Sequence, residues 1–187
     1  MVTKSYLLGM LHDATERKNT YRIATKNFNF AKITREDILK LGSKAWIYKE
    51  GKNRNLWIVE FSKTLLNEAK NKFNQNKQSL SLRDKVDYIR GYFDAEGGIS
   101  QSSKVRFYIY FCQKDKIDLE EVKKYLLELR ISCGVIHNPS KKVDPNYWRF
   151  FVSSKSYKDF AKIISSDHPD KRSLLLRSKI KLLEMKI

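Results

Sequence analysis

Three kinds of residue are scarce in this chain. There are two cysteines, Cys112 and Cys133, with no Cys-x-x-Cys pair, and three histidines, His12, His137 and His168, with no shared ligand spacing. A zinc site needs more ligands at tighter spacing, so the cysteines read as small apolar residues. No stretch reaches the ~18 apolar residues of a membrane span, and Met1–Tyr6 has no apolar signal region. The expected location is intracellular, cytoplasmic in a prokaryote or organellar, without a membrane partner. Acidic residues are the third shortage: 21 Asp and Glu face 38 Lys and Arg, for a net charge of +17. Lys-rich proteins of hot organisms usually balance Lys with Glu, and this chain does not. The excess points to a polyanion whose counterions a basic surface would release, and hence to nucleic acid. An anionic membrane would call for a basic amphipathic helix or a lipidation motif, and neither is evident.

What is present is a folded composition and a repeat. Hydrophobic residues make up 41% and charged residues 32% of 187 positions, which suits one domain or two small subdomains sharing a core. Laid on itself, Tyr6-Leu7-Leu8-Gly9-Met10-Leu11-His12-Asp13-Ala14-Thr15 matches Tyr88-Ile89-Arg90-Gly91-Tyr92-Phe93-Asp94-Ala95-Glu96-Gly97 at an offset of 82. Tyr21–Lys26 matches Ile109–Lys114 and Leu39–Leu41 matches Leu127–Leu129, both at 88; Phe61–Lys63 matches Ser153–Lys155 at 92. Four ordered blocks exceed chance, and such repeats share a core.

Within each copy the local signals agree. Ser5 is placed to cap a helix running to about Ala14, and Asp87 one running to about Glu96. Alternation then puts Arg22, Ala24 and Lys26 on one strand face and Tyr21, Ile23 and Thr25 on the other. In the second copy Arg106, Tyr108, Tyr110, Cys112 and Lys114 share a face, opposite Val105, Phe107, Ile109 and Phe111. Helices are expected over 29–41 and 118–130, the latter with Leu119, Val122, Leu126 and Leu129 at helical spacing. A hairpin follows from Ala45 to Phe61, turning at Glu50–Asn53, and a second from Cys133 to Val152 with Tyr147 and Arg149 outward. Each copy closes on a helix, the last over 171–186. The polar stretch 67–85 holds the connection, so the expected halves are 1–78 and 79–187.

Gly91-x-x-x-Ala95 sets two small side chains on one helix face, which lets two backbones approach closely; Gly9 is the counterpart in the first copy. Glu96 follows at the helix end beside Gly97-Gly98. A carboxylate there can hold a hard cation, and paired acids of this kind hold Mg²⁺ for phosphodiester cleavage.

The second motif, Ile89-Arg90-Gly91-Tyr92-Phe93-Asp94-Ala95-Glu96-Gly97, resembles the nine-residue signature of the LAGLIDADG homing endonucleases, and the repeat extends the resemblance over nearly the whole chain. The resemblance implies an α+β fold of two pseudo-symmetric αββαββα repeats in one chain. Antiparallel sheets would bind DNA, and paired motif helices would join the halves. It implies Mg²⁺ (or Mn²⁺) at the helix ends, with Glu96 as ligand, and a basic residue near the site at Lys114, preceded by Gln113, with Lys26 in the first half.

The first motif departs from this pattern. Ala14 stands at the eighth position, Thr15 at the ninth, and Asp13 lies one place early. On an ideal helix one residue is a rotation of about 100°, which would turn Asp13 toward the partner helix. Three readings stay open: Asp13 reaches the metal because the helix ends differently, Glu16 or His12 substitutes, or the first half has lost its ligand. From Ala14 to Lys26 is 12 positions, against 18 from Glu96 to Lys114, so the first half should touch less DNA there. Arg22, Arg106, Arg149, Tyr108, Trp57, Lys141 and Lys142 are the candidate DNA contacts, for phosphate or base edges. The first expectation is a monomeric, metal-dependent endonuclease of double-stranded DNA, catalysing with Glu96, Asp13, Lys26, Lys114 and Gln113. The second is a non-cutting relative: a DNA-binding regulator or a maturase-like helper of structured intron RNA. A third is a basic RNA-binding protein.

Overall fold

A computed structural model describes residues 2–51, 54–75, 80–100 and 105–184, with side chains up to 177. Helix α1 (Lys4–Met10) tightens into a 3-10 turn, Leu11–Asp13, and is followed by β1 (Thr15–Glu16), β2 (Thr20–Thr25) and α2 (Phe28–Lys40). The chain continues through β3 (Ala45–Lys49), β4 (Trp57–Ser62) and α3 (Asn67–Gln75). The second copy runs α4 (Leu82–Glu96), β5 (Gly97–Ile99), β6 (Ile109–Gln113), α5 (Lys116–Glu128), β7 (Trp148–Phe151), α6 (Tyr157–Ile163) and α7 (Pro169–Glu184). The first copy is thus αββαββα. Its antiparallel sheet has the order β1-β2-β4-β3, and the second sheet has the order β5-β6-β7.

The two copies end their central helices the same way. Asn27 caps α2 by accepting from the Phe30 amide, and Asp115 caps α5 by accepting from those of Ile117 and Asp118. At the other end Gly42 and Arg130 donate to Leu39 and Leu127, while Ser43 and Ile131 donate to Ile38 and Leu126. This closure needs a left-handed residue. Gly42 supplies it at φ +86° and Arg130 at φ +62°. Apart from the added Ile117 amide, both helices obey the offset of 88 at these positions.

Several expected details shift. Thr3, not Ser5, caps α1, and the Ser5 hydroxyl donates instead to Asp84 at 2.8 Å. Helix α4 begins earlier than expected, with the Ser81 hydroxyl accepting from the Asp84 amide, so Asp87 lies inside the helix. Ser62 and Ser153 precede matching 3-10 turns with φ −68° in both and ψ 139° and 141°, which moves that equivalence one residue from the expected match. Residues 133–147 form no paired strand. Cys133 bridges Val152 and His137 bridges Arg149, and between them Ser140–Asp144 turns on itself, braced by the Asn138 side chain. Pro139 has no amide to donate there. Val105, expected on an apolar face, precedes β6 and is exposed.

The chain forms two compact units, 1–95 and 96–187. This division follows packing and so differs in kind from the repeat boundary expected at 78/79, which lies among residues 76–79, outside those described. In the first unit Phe30, Ala31 and Ile38 of α2 are buried together with Tyr21, Ile23, Val59 and Phe61 of the sheet. In the second, Leu119, Val122 and Leu126 of α5 are buried with Ile109, Phe111 and Phe150; the Phe111 ring stacks on Phe150 at 5.1 Å and meets Phe160 edge-on at 6.0 Å.

Candidate functional site

The motif helices pack within the first unit by reciprocal contacts. A Cβ on Gly9 would strike the Tyr88 carbonyl and the Tyr92 amide, and one on Gly91 would strike the Tyr6 carbonyl and approach the Met10 amide. Tyr6 and Met10 stand 82 residues before Tyr88 and Tyr92, so each glycine faces the copy of the residues its partner faces. This is the close approach that only glycine permits. Ala95 is half-buried one turn beyond Gly91.

Hydrogen bonds repeat the reciprocity. The Tyr6 hydroxyl donates to Asp94 Oδ2 at 2.8 Å in a buried contact, and the Tyr88 hydroxyl shares a bond of 2.6 Å with His12 Nε2. Asp94 and His12 hold the sixth position of their motifs. His12 also tilts against Tyr92, ring centres 4.5 Å apart. Thr3 donates to Asp87 at 3.0 Å, and Arg90 donates to the same carboxylate at 3.1 Å.

The ends of the motifs differ. Because residues 11–13 wind as a 3-10 turn, the ideal-helix rotation does not apply; Asp13 is exposed, and His12 packs against Tyr88 and Tyr92 of α4. Ala14 is already extended, at φ −86° and ψ 142°. Glu16 lies on β1 in ion pairs with Lys63 and Lys70, and the Lys63 hydrogen bond holds its carboxyl below the ordinary range.

In the second unit Glu96 ends α4, and its carboxylate accepts from Gln113 Nε2 at 3.1 Å. Gln113 in turn accepts from the Lys114 amide at 2.7 Å. The Glu96 carbonyl accepts from the Cys112 thiol at 3.2 Å, and burial raises that thiol's pKa. Cys133 is likewise pushed up to about 12 by burial, and neither cysteine is in a disulfide. Lys26 and Lys114 are exposed and equivalent, each just past its strand and just before a helix cap. Among the described residues no three His, Cys, Asp or Glu side chains cluster for a metal. Glu96 and Asp13 offer oxygen donors of the kind that suits a hard divalent cation.

On the open face of the first sheet, Arg22 donates to the Tyr48 hydroxyl at 2.9 Å and pairs with Glu50 at 3.3 Å and Glu60 at 3.9 Å. The Glu60 carboxyl is held below its ordinary range, first by the Thr20 hydroxyl and then by that of Tyr48. These glutamates escaped sequence reasoning, because finding them requires the register that sets Arg22 opposite Glu60. Trp57 is a correction. It pairs with Thr25 on the helix-covered side and packs on Phe28 at 4.3 Å. The tryptophan on the Arg22 face is Trp46, opposite Glu60 and half-exposed.

On the second sheet Tyr110, Cys112, Arg149 and Phe151 share the open face. Arg149 donates to the Tyr147 hydroxyl at 2.6 Å and lies 4.8 Å over the Tyr110 ring. Tyr108 extends this face, its amide donating to Ser100 at 3.1 Å. Arg106 is exposed before β6, and Lys141 and Lys142 are exposed in the Ser140–Asp144 turn, outside the sheet. No helix among the described residues is long and apolar enough to cross a membrane.

Residues 84–165 match the family model described as a LAGLIDADG-like domain. Over 150 residues, 74% of this chain and 52% of the relative, the sequence is 31% identical to an uncharacterised protein of Methanocaldococcus jannaschii. The chain thus spans about half the length of that curated relative. Among solved structures, I-DmoI in complex with DNA and Mn matches with a TM-score of 0.64 at 22% identity, over 88% of this chain and 97% of that one. I-DmoI in complex with DNA and Ca matches with a TM-score of 0.65 at 21% identity, over 91% and 95%. The N-terminal LAGLIDADG domain of DUF199/WhiA matches with a TM-score of 0.64 at 14% identity, over 86% of this chain and 79% of that one. At such identities the structural likeness is one of fold. Residues 84–165 thus match a LAGLIDADG-like domain, and most of the chain shares the fold of these LAGLIDADG structures.

Proposed function

We propose that the chain is a sequence-specific endonuclease of double-stranded DNA, of the homing type, acting as a monomer whose duplicated halves are 1–78 and 79–187. The observation that carries this reading is Glu96 at the end of the motif helix, its carboxylate oriented by Gln113. Matching structures of I-DmoI hold DNA with Mn or Ca, which supports the same reading. Glu96 would hold Mg²⁺ or Mn²⁺, with Asp13 as the first-half donor. The cation would supply charge neutralisation for the attacking and leaving oxygens. Gln113 holds the Glu96 carboxylate by a hydrogen bond, and Lys114 and Lys26 would each offer a cation to a phosphate. Arg22, Arg106, Arg149, Tyr108, Lys141 and Lys142 would position the duplex.

A second reading is a DNA-binding regulator or intron-RNA splicing helper that does not cut. Ala14 favours it, since the first motif has no carboxylate at its eighth position. The test is selection of a binding site from random duplexes, followed by incubation in Mg²⁺ or Mn²⁺. Cleavage that Glu96→Gln abolishes while binding persists supports the nuclease. Binding without cleavage in either metal supports the second reading, and no duplex preference at all refutes the first.

A further inference from the structure

Strand β3 is an edge of the first sheet, and its register with β4 sets where its backbone groups point. The Glu50 amide donates to the Leu56 carbonyl at 2.9 Å, so antiparallel alternation makes Tyr48 and Trp46 the residues that exchange bonds with Ile58 and Glu60. Ala45, Ile47 and Lys49 therefore turn their amides and carbonyls outward along the edge. The Ala45 carbonyl accepts from Arg35 Nε at 3.2 Å. The outward groups of Ile47 and Lys49 make no hydrogen bond among the described residues. The other sheet edges are guarded. Strand β1 has two residues, and its Glu16 is held by Lys63 and Lys70. Strand β5 has three and lies against α7. At the far side of the second sheet Cys133 bridges Val152 and His137 bridges Arg149, so five residues oppose four. That bulge and the following Pro139 interrupt the edge. Strand β3 has five residues in unbroken register, without bulge or proline. Such an edge is a ready place for another strand to pair.

We propose that β3 receives an extended, acidic strand of a partner protein, which becomes the fifth strand of the first sheet. Charge selects the occupant. Lys32, Lys44 and Lys49 are exposed beside this edge, and Arg35 is half-buried. Glu36 is the acid in the groove between α2 and β3, while Glu50 is held by Arg22 and Arg54. A second copy would set its own Lys44 and Lys49 against these lysines, in a chain of net charge +17. An acidic strand meets the same lysines favourably. Alternation divides its side chains between two faces. Those on the α2 side would enter the groove of Phe28, Lys32, Arg35 and Ile47, where Lys32 lies 5.6 Å over the Phe28 ring. Acidic residues suit that side. Those on the other side would lie beside Trp46 and Tyr48, both exposed, and there aromatic or β-branched residues fit. Main-chain bonds supply affinity and the alternating side chains supply choice. The proposal uses the edge of the sheet and is independent of the DNA reading, which uses its open face.

The test measures fluorescence anisotropy of a labelled peptide of about eight residues, alternating glutamate with valine and tyrosine, against the whole chain without DNA. Two further versions carry N-methyl groups on alternate amides, one in each phase. An added strand turns only one set of amides toward β3. The expected result is that one methylated version loses on the order of tenfold in affinity while the other binds as the plain peptide does. Lys49→Pro removes an outward amide and no ladder bond, so it should bind several-fold more weakly than Lys49→Ala at equal melting temperature. If Lys49→Pro does not fold, the methylated pair decides. Equal binding of both methylated versions overturns the proposal. So does equal binding of a peptide with the same residues in two blocks, since surface charge alone would then explain the affinity. Self-association of the chain that Lys49→Pro abolishes overturns it too, by making a second copy the occupant.

Discussion

The Tyr6 hydroxyl reaches across the helix pair to Asp94, 88 residues away, and the buried carboxylate accepts its proton at 2.8 Å. Removing a donor from a buried acceptor costs about 1–3 kcal/mol. Tyr6→Phe should therefore lower the melting temperature by several degrees, measured by circular dichroism. Tyr88→Phe should cost less, because its bond to His12 is only part-buried. Gly91→Ala should be the most damaging of the three, since the Cβ meets backbone that cannot rotate away. A Tyr6→Phe variant as stable as wild type would show that the bond merely decorates the interface.

Arg130 holds the left-handed closing position of α5 that glycine holds in α2. A side chain there costs about 1–2 kcal/mol, partly offset because glycine is freer when unfolded. Arg130→Gly is expected to stabilise the protein by up to about 1 kcal/mol. Urea unfolding at constant slope checks this, and a loss of stability would refute it.

Burial, aided by Lys171 and opposed by Asp170, puts the His168 pKa below its ordinary 6.5. The unfolded chain therefore takes up the proton first as pH falls. The stability this group contributes is present above 6.5 and is lost as pH falls through the folded value. His168→Gln should flatten the drop in melting temperature between about pH 7 and pH 5. Parallel curves for both proteins would show that His168 does not set the slope.

If the chain cuts DNA, it should cut the two strands unequally, since only the second motif has a carboxylate at its eighth position. Glu96→Gln should slow cutting on the order of a hundredfold or more. Ala14→Asp should raise double-strand cleavage over nicking on a supercoiled plasmid. Equal cutting by the wild type, abolished by Asp13→Asn, would make Asp13 the first-half ligand and remove the asymmetry.

The repeat was legible because duplication leaves the same helix caps and strand alternation in both copies. An offset of 88 read from Tyr21 and Ile109 carries through to the last hydrogen bond of α2 and α5. The capping of α1 was misassigned because Thr3 and Ser5 are chemically equal candidates, and only the neighbouring Asp84 decides between them. Trp57 was misplaced by reading it as a surface aromatic among basic residues; the strand pairing assigns its face. The second hairpin failed at Asn138–Pro139, where side-chain bonds replace a ladder. The carbonyl of Glu96, held by Cys112, was invisible because sequence spacing says nothing of which strand lies beside a helix end.

Because each tyrosine hydroxyl finds its hydrogen-bond partner in the opposite copy, neither motif can drift alone. A substitution at Asp94 is felt by Tyr6, and one at His12 by Tyr88. Homologues that lose the acid at position 94 should also have changed position 6, while positions 12 and 88 vary as a separate pair. The two halves of this once-duplicated gene are thus tied by inheritance across the fold, and the sequence record of their relatives should carry that linkage as two crossed correlations.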